Sequence, residues 1–149
     1  EDGARAEHQL LQLRVLAASL MLMPMVQFAL RRKGFSRTAG ALAARSDRPV
    51  RTASPADVRE LAVPVGMVAS RKVVGAACLG RSLVLWFLAR RRGFDVELVI
   101  GAAAPQDGVL PAHAWVEYDG VPVNDSLDVR ERFGSFEVQL PRLSAAVAP

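Results

Sequence analysis

A chain of 149 residues, 51% hydrophobic and 23% charged, is long enough to bury a core without disulfides and too apolar to remain disordered. Its basic excess lies in the first half: residues 1–72 carry 12 Lys/Arg against 6 Asp/Glu, and residues 73–149 carry 7 against 9. The arginines are scattered and only 6% of residues are aromatic, so neither the gathered basic stripe nor the stacking platforms of a nucleic-acid binder are present. The single cysteine, Cys78, excludes an internal disulfide and fits a reducing, cytoplasmic setting.

No charged n-region, apolar core and cleavage site occur together, so no signal peptide is expected. The most apolar run, Val15 to Leu30, is bounded by Arg14 and Arg31 and interrupted by Ser19, Pro24 and Gln27. It falls short of the roughly 18–20 apolar residues of a membrane span and reads as a buried or partner-facing helix, with peripheral membrane contact the less favoured role.

In chain order, His8 to Arg32 has helical periodicity, and Pro24 is expected to kink or divide it. "RRKGF" at 31–35 ends that helix with cations in the last turn and Gly34 just beyond, and "RRRGF" at 90–94 repeats the device. Ser36 to Arg45 reads as a second, alanine-rich helix. Ser54-Pro55 supplies an N-cap and first position for a third, whose continuation Pro64 and Gly66 weaken. From Val73 the character changes. A helix from about Cys78 to Arg92 precedes the β-branched run Val96 to Ala102, a linker "AAPQDGVLP", the hairpin-like "AHAWVEY", "DG" and "VPVND", and a further strand candidate "SFEVQL". The expected class is α+β: one domain over 1–149, helical over 1–72, with a catalytic core over 73–149 in which a helix packs on a small antiparallel sheet.

The stretch "GAACLGRS" admits two chemistries. Gly75-x4-Gly80-Arg81-Ser82 approaches a P-loop, but Arg81 stands where a lysine belongs and no later apolar strand ends in an aspartate for magnesium. The alternative makes Cys78 the first residue of a helix, where free N–H groups and aligned peptide dipoles favour a thiolate. Gly75, Ala76 and Ala77 would leave room for a substrate backbone, and Arg81 becomes a helix-surface or substrate-side cation. A free cysteine is also a common core residue.

His113 decides between them. It lies on a strand between Ala112 and Ala114, whereas His8 sits in the amphipathic N-terminal helix as a surface or packing residue. Asp125 joins His113 only in one hairpin register. With a two-residue Asp119-Gly120 loop, His113 would pair with Ser126 and Asp125 would take the opposite face. With a three-residue loop Tyr118-Asp119-Gly120, Glu117 pairs with Val121 and His113 faces Asp125. That register also groups Trp115, Val121 and Val123 on the face packed by the Cys78 helix, and it is the expected one. Cys78, His113 and Asp125 are then nucleophile, base and orienter, with the Cys78 N–H as the first oxyanion donor. A zinc site built on the same groups lacks clustered ligand spacing; no metal and no cofactor are expected.

"CLGRSLVLWFLARRRGFDVELVIGA", "AHAWVEYDG" and "VPVND" closely resemble the transglutaminase-like (papain-like) cysteine peptidases of lasso-peptide biosynthesis, the leader peptidases called B proteins. The resemblance is dense from Cys78 to Asp125, and its bare triad also fits the wider transglutaminase-like superfamily. It implies a Cys78-His113-Asp125 peptidase that removes the leader from a ribosomally made precursor, freeing an amine for ring closure by a separate macrolactam synthetase. It also implies a stand-alone peptidase that needs a discrete leader-binding protein, with the N-terminal helix and the basic first half as docking surfaces.

Overall fold

The computed structural model describes residues 2–70, 78–105, 107–108 and 110–136. The helical half consists of α1 (Asp2–Ser46) and α2 (Pro55–Ala69). α1 is two helices in continuous sequence: Gly34, at φ 75° and ψ 176°, is the one non-helical residue within it. Glycine has no Cβ to penalise that backbone, so the chain turns there and resumes at once. Pro24, the expected break, lies inside the first helix on its solvent side. α2 opens as its sequence dictates, with Ser54 and Asp57 forming a reciprocal capping box ahead of Pro55. It also runs through Pro64 and Gly66, the expected weak points; the Pro64 ring is buried on the same face as Leu61, Val65 and Val68, and this packing offsets the missing N–H.

α3 (Cys78–Arg90) ends at the second Arg-Gly signal, where Gly93 has φ 82° and Phe94 N–H reaches back to the Ala89 carbonyl. No larger residue fits at Gly93: a Cβ there would stand 2.5 Å from the Pro49 carbonyl oxygen. The chain entering α2 is tied to this turn through Arg51 N–H to the Gly93 carbonyl, 2.8 Å.

The strands are β1 (Val96–Ala102), β2 (Ala112–Tyr118), β3 (Val121–Pro122) and β4 (Gly134–Phe136), with a one-turn helix α4 (Val129–Arg132) between the last two. They form one antiparallel sheet in the order β3-β2-β1-β4. The class is α+β, as expected. β4 covers the start of "SFEVQL"; its remainder, like Val73 and Gly75 to Ala77, lies outside the described residues.

The main core joins α1, α2 and α3 to one face of the sheet, with Val15, Met23, Leu61, Val65, Leu83, Leu85 and Val116 almost wholly buried. The other face carries a smaller cluster of Val99, Trp115 and Val129 with Phe133 against it. Trp115 therefore does not face α3, contrary to the sequence expectation. The hairpin explains why. Tyr118 pairs with Val121 and Glu117 with Pro122, so the loop is the two-residue Asp119-Gly120, both at positive φ, 52° and 72°. This is the tight turn whose twist suits a hairpin, and the three-residue bulge is not used. Alternation along β2 then sends Ala114 and Val116 toward α3 and His113, Trp115 and Glu117 to the opposite face.

Candidate active site

The ladder between β2 and β3 is short, and that brings the site together. After Val123 N–H donates to the Val116 carbonyl at 2.9 Å, the chain leaves the sheet. Asn124 takes over with its side chain: Oδ1 accepts the Val116 N–H at 2.8 Å, and Nδ2 donates to Ser82 Oγ at 3.0 Å. Ser82, buried on α3, donates in turn to the Ala114 carbonyl at 2.8 Å. The diverted segment carries Asp125 round to the end of β2, where His113 Nε2 donates to its Oδ2 at 2.6 Å. The expected contact between His113 and Asp125 is present, although the expected register is not.

Cys78 is half-buried and opens α3. It lines a cleft of about 300 Å³ together with His113, Arg81, and Gly66, Ala69 and Ser70 from the end of α2. The nucleophile candidate and the imidazole thus face one cavity. Because a carboxylate accepts only, Nε2 of His113 carries the proton and Nδ1 is left as the basic nitrogen. The ring is held from other sides by Phe133 and Trp115, with centroids 4.9 and 6.0 Å away.

Asp125 is crowded by cations. Arg81 approaches Oδ2 at 3.6 Å, Arg132 approaches Oδ1 at 3.2 Å, and the Ser126 N–H donates to Oδ1 at 2.8 Å. Burial by itself would raise the carboxyl pKa. The His113 hydrogen bond, the Ser126 N–H and the charges of His113 and Arg81 outweigh it and hold Asp125 below its usual range. The carboxylate is therefore ionised throughout the neutral range and fixes the ring and its tautomer.

Behind the site a buried carboxylate pairs with a half-exposed arginine. Glu117 is 1% exposed, accepts the Trp115 indole N–H at 2.7 Å and accepts two parallel bonds from Nε and Nη2 of Arg130. Bidentate pairing of this kind holds a carboxylate that could not otherwise remain inside. Space is arranged as closely as charge. A Cβ on Gly101, which pairs with His113, would stand 2.9 Å from both the Gly134 carbonyl oxygen and Trp115 Cη2.

The structure brings together Cys78, His113 and Asp125, the three residues the sequence singles out, whereas sequence reading misses Arg132, Ser82 as a strut, and the α2 residues of the cleft. α4 has four residues and no periodicity to betray it. Arg81, expected to be a helix-surface or substrate-side cation, proves to be both a cleft residue and a partner of Asp125.

No curated protein and no solved structure matches the chain. The family model described as the transglutaminase-like superfamily matches residues 22–138. This superfamily includes cysteine peptidases and transglutaminases, both of which attack a carbonyl through a thiol. Most of the chain, from the middle of α1 to the end of the sheet, is matched, and the protein belongs to the transglutaminase-like superfamily.

Proposed function

We propose that the protein is a cytoplasmic cysteine peptidase that cleaves the leader from a ribosomally made lasso-peptide precursor, together with a separate leader-binding protein and upstream of a macrolactam synthetase. The observation that carries the catalytic part is the shared cleft of Cys78 and His113, with His113 anchored through Nε2 to Asp125. The resemblance of the Cys78–Asp125 segment carries the substrate class.

In this mechanism the Cys78 thiolate attacks the scissile carbonyl carbon, and His113 holds the thiol proton on Nδ1 as an imidazolium. The tetrahedral oxyanion is met by the Cys78 backbone N–H at the start of α3. On collapse, the C–N bond breaks and His113 protonates the leaving amine, giving a thioester and the freed core peptide. His113 then deprotonates a water molecule, which attacks the thioester and releases the leader with a carboxylate terminus. Asp125 remains ionised throughout and offsets the imidazolium charge.

The test is mass spectrometry of a synthetic leader-core precursor incubated with the protein, with and without the leader-binding protein. A single cut at the junction, absent with Cys78→Ala, is the expected result. Cleavage by Cys78→Ala at the wild-type rate would remove the cysteine from the mechanism. Transfer of the leader to an added amine in place of water would assign an acyl transferase instead.

A further inference from the structure

From Leu10 to Phe28, α1 shows two opposite faces. Val15, Ser19, Met23 and Val26 are buried against the rest of the protein. At 100° per residue, Leu10, Leu13, Leu20, Met21, Met25 and Phe28 fall within an arc of about 140° centred on the far side. These six side chains are between 48% and 70% exposed. The stripe is about 27 Å long, from 18 steps of the helical rise. Isolated exposed apolar residues are ordinary, but a continuous ridge of this size marks an interaction surface.

Charge identifies the occupant. From His8 to Ser46 the sequence contains six cations, Arg14, Arg31, Arg32, Lys33, Arg37 and Arg45, and no Asp or Glu. All six are exposed, and Arg14, Arg31 and Arg32 fall on the same side as the ridge, at its two ends. A second copy of the chain would bring like charges together. An anionic lipid surface offers the reverse: acyl chains accept the ridge, and headgroup phosphates meet the guanidinium groups, which reach up on long apolar stems. α1 is long and apolar enough to cross a membrane, but its inner face is core, and crossing would tear Val15 and Met23 from their packing. The helix must therefore lie in the surface plane.

We propose that α1 docks this protein peripherally on an anionic membrane through the Leu10–Phe28 ridge and its arginines. The proposal is independent of the peptidase reading, because no residue of the ridge lines the cleft.

Co-sedimentation of the full chain with phosphatidylcholine vesicles, with and without about one-third phosphatidylglycerol, tests it. The expected result is binding to the anionic vesicles that weakens with salt, and that falls by about fivefold for each of Arg14, Arg31 and Arg32 replaced by Gln. Met21→Glu with Phe28→Glu should abolish binding while peptidase activity persists. Met21→Trp should add a fluorophore whose emission shifts to the blue on vesicle addition, a shift the wild-type protein lacks. Protein left wholly in the supernatant, no shift from the introduced indole, or equal binding by the double Glu variant would overturn the proposal. So would a concentration-dependent dimer in sedimentation velocity that the same Glu variant dissolves, accompanied by no vesicle binding.

Discussion

His113 and Asp125 meet at 2.6 Å from positions that the hairpin ladder alone would set on different faces. Their contact depends on the chain leaving the sheet at Val123, and on Asn124 holding the departing segment by its side chain. The orientation of the imidazole is thus a property of a bend.

Removing the orienting charge should cost rate more than fold. Asp125→Asn is expected to slow precursor cleavage by about 10²–10⁴-fold, because the amide can no longer enforce the Nε2–H tautomer or offset the imidazolium. Single-turnover rates measure it, and a loss below tenfold would deny Asp125 its role.

The same variant makes a prediction about pH. The folded-state pKa of Asp125 lies below the unfolded value of about 3.9. The stability it supplies is therefore complete above that value and is lost as pH falls through the lower folded value. Urea midpoints of wild type and Asp125→Asn should differ at pH 6 and draw together as the pH is lowered below about 4.

Ser82→Ala should destabilise by about 1–3 kcal/mol, since it strands the Asn124 amide and the Ala114 carbonyl in a buried place. Asn124→Ala should loosen the bend itself and lower kcat more than its stability loss explains. Denaturant titration alongside cleavage kinetics separates the two. Equal behaviour of both variants in both assays would mean that the bend is held by something else.

Gly101→Ala adds one methyl where backbone and indole already stand at 2.9 Å. The Gly134 carbonyl cannot rotate away as a side-chain tip could, so β4 or Trp115 must shift, at about 1–3 kcal/mol. Because Gly101 pairs with His113, cleavage should slow as well. A wild-type melting temperature for this variant would show that the sheet edge yields freely.

Arg130→Met leaves the buried Glu117 carboxylate with only the Trp115 N–H. The expected loss is about 1–3 kcal/mol, below that of a fully enclosed pair because the Arg130 side chain is half-exposed. Adding Glu117→Gln should restore part of it, which a double-mutant cycle reads directly.

Much of this is legible in the residues. Ser54, Asp57 and Pro55 announce the start of α2, the two Arg-Gly-Phe stretches announce helix ends, and Cys78, His113 and Asp125 are singled out before the structure brings them together. The loop is misjudged when facing strand positions are taken as the sole route from Asp125 to His113. Side-chain substitution for a ladder bond, as Asn124 provides, leaves no periodic trace. Pro64 misleads because local propensity ignores the core contacts that override it. α4 is invisible because one turn has no repeat.

That single turn carries two arginines with different tasks, Arg130 on the Glu117 of the sheet and Arg132 on the Asp125 of the site. One short element therefore ties the buried carboxylate of the sheet to the carboxylate beside His113, so that a disturbance of this four-residue turn is felt in both places at once.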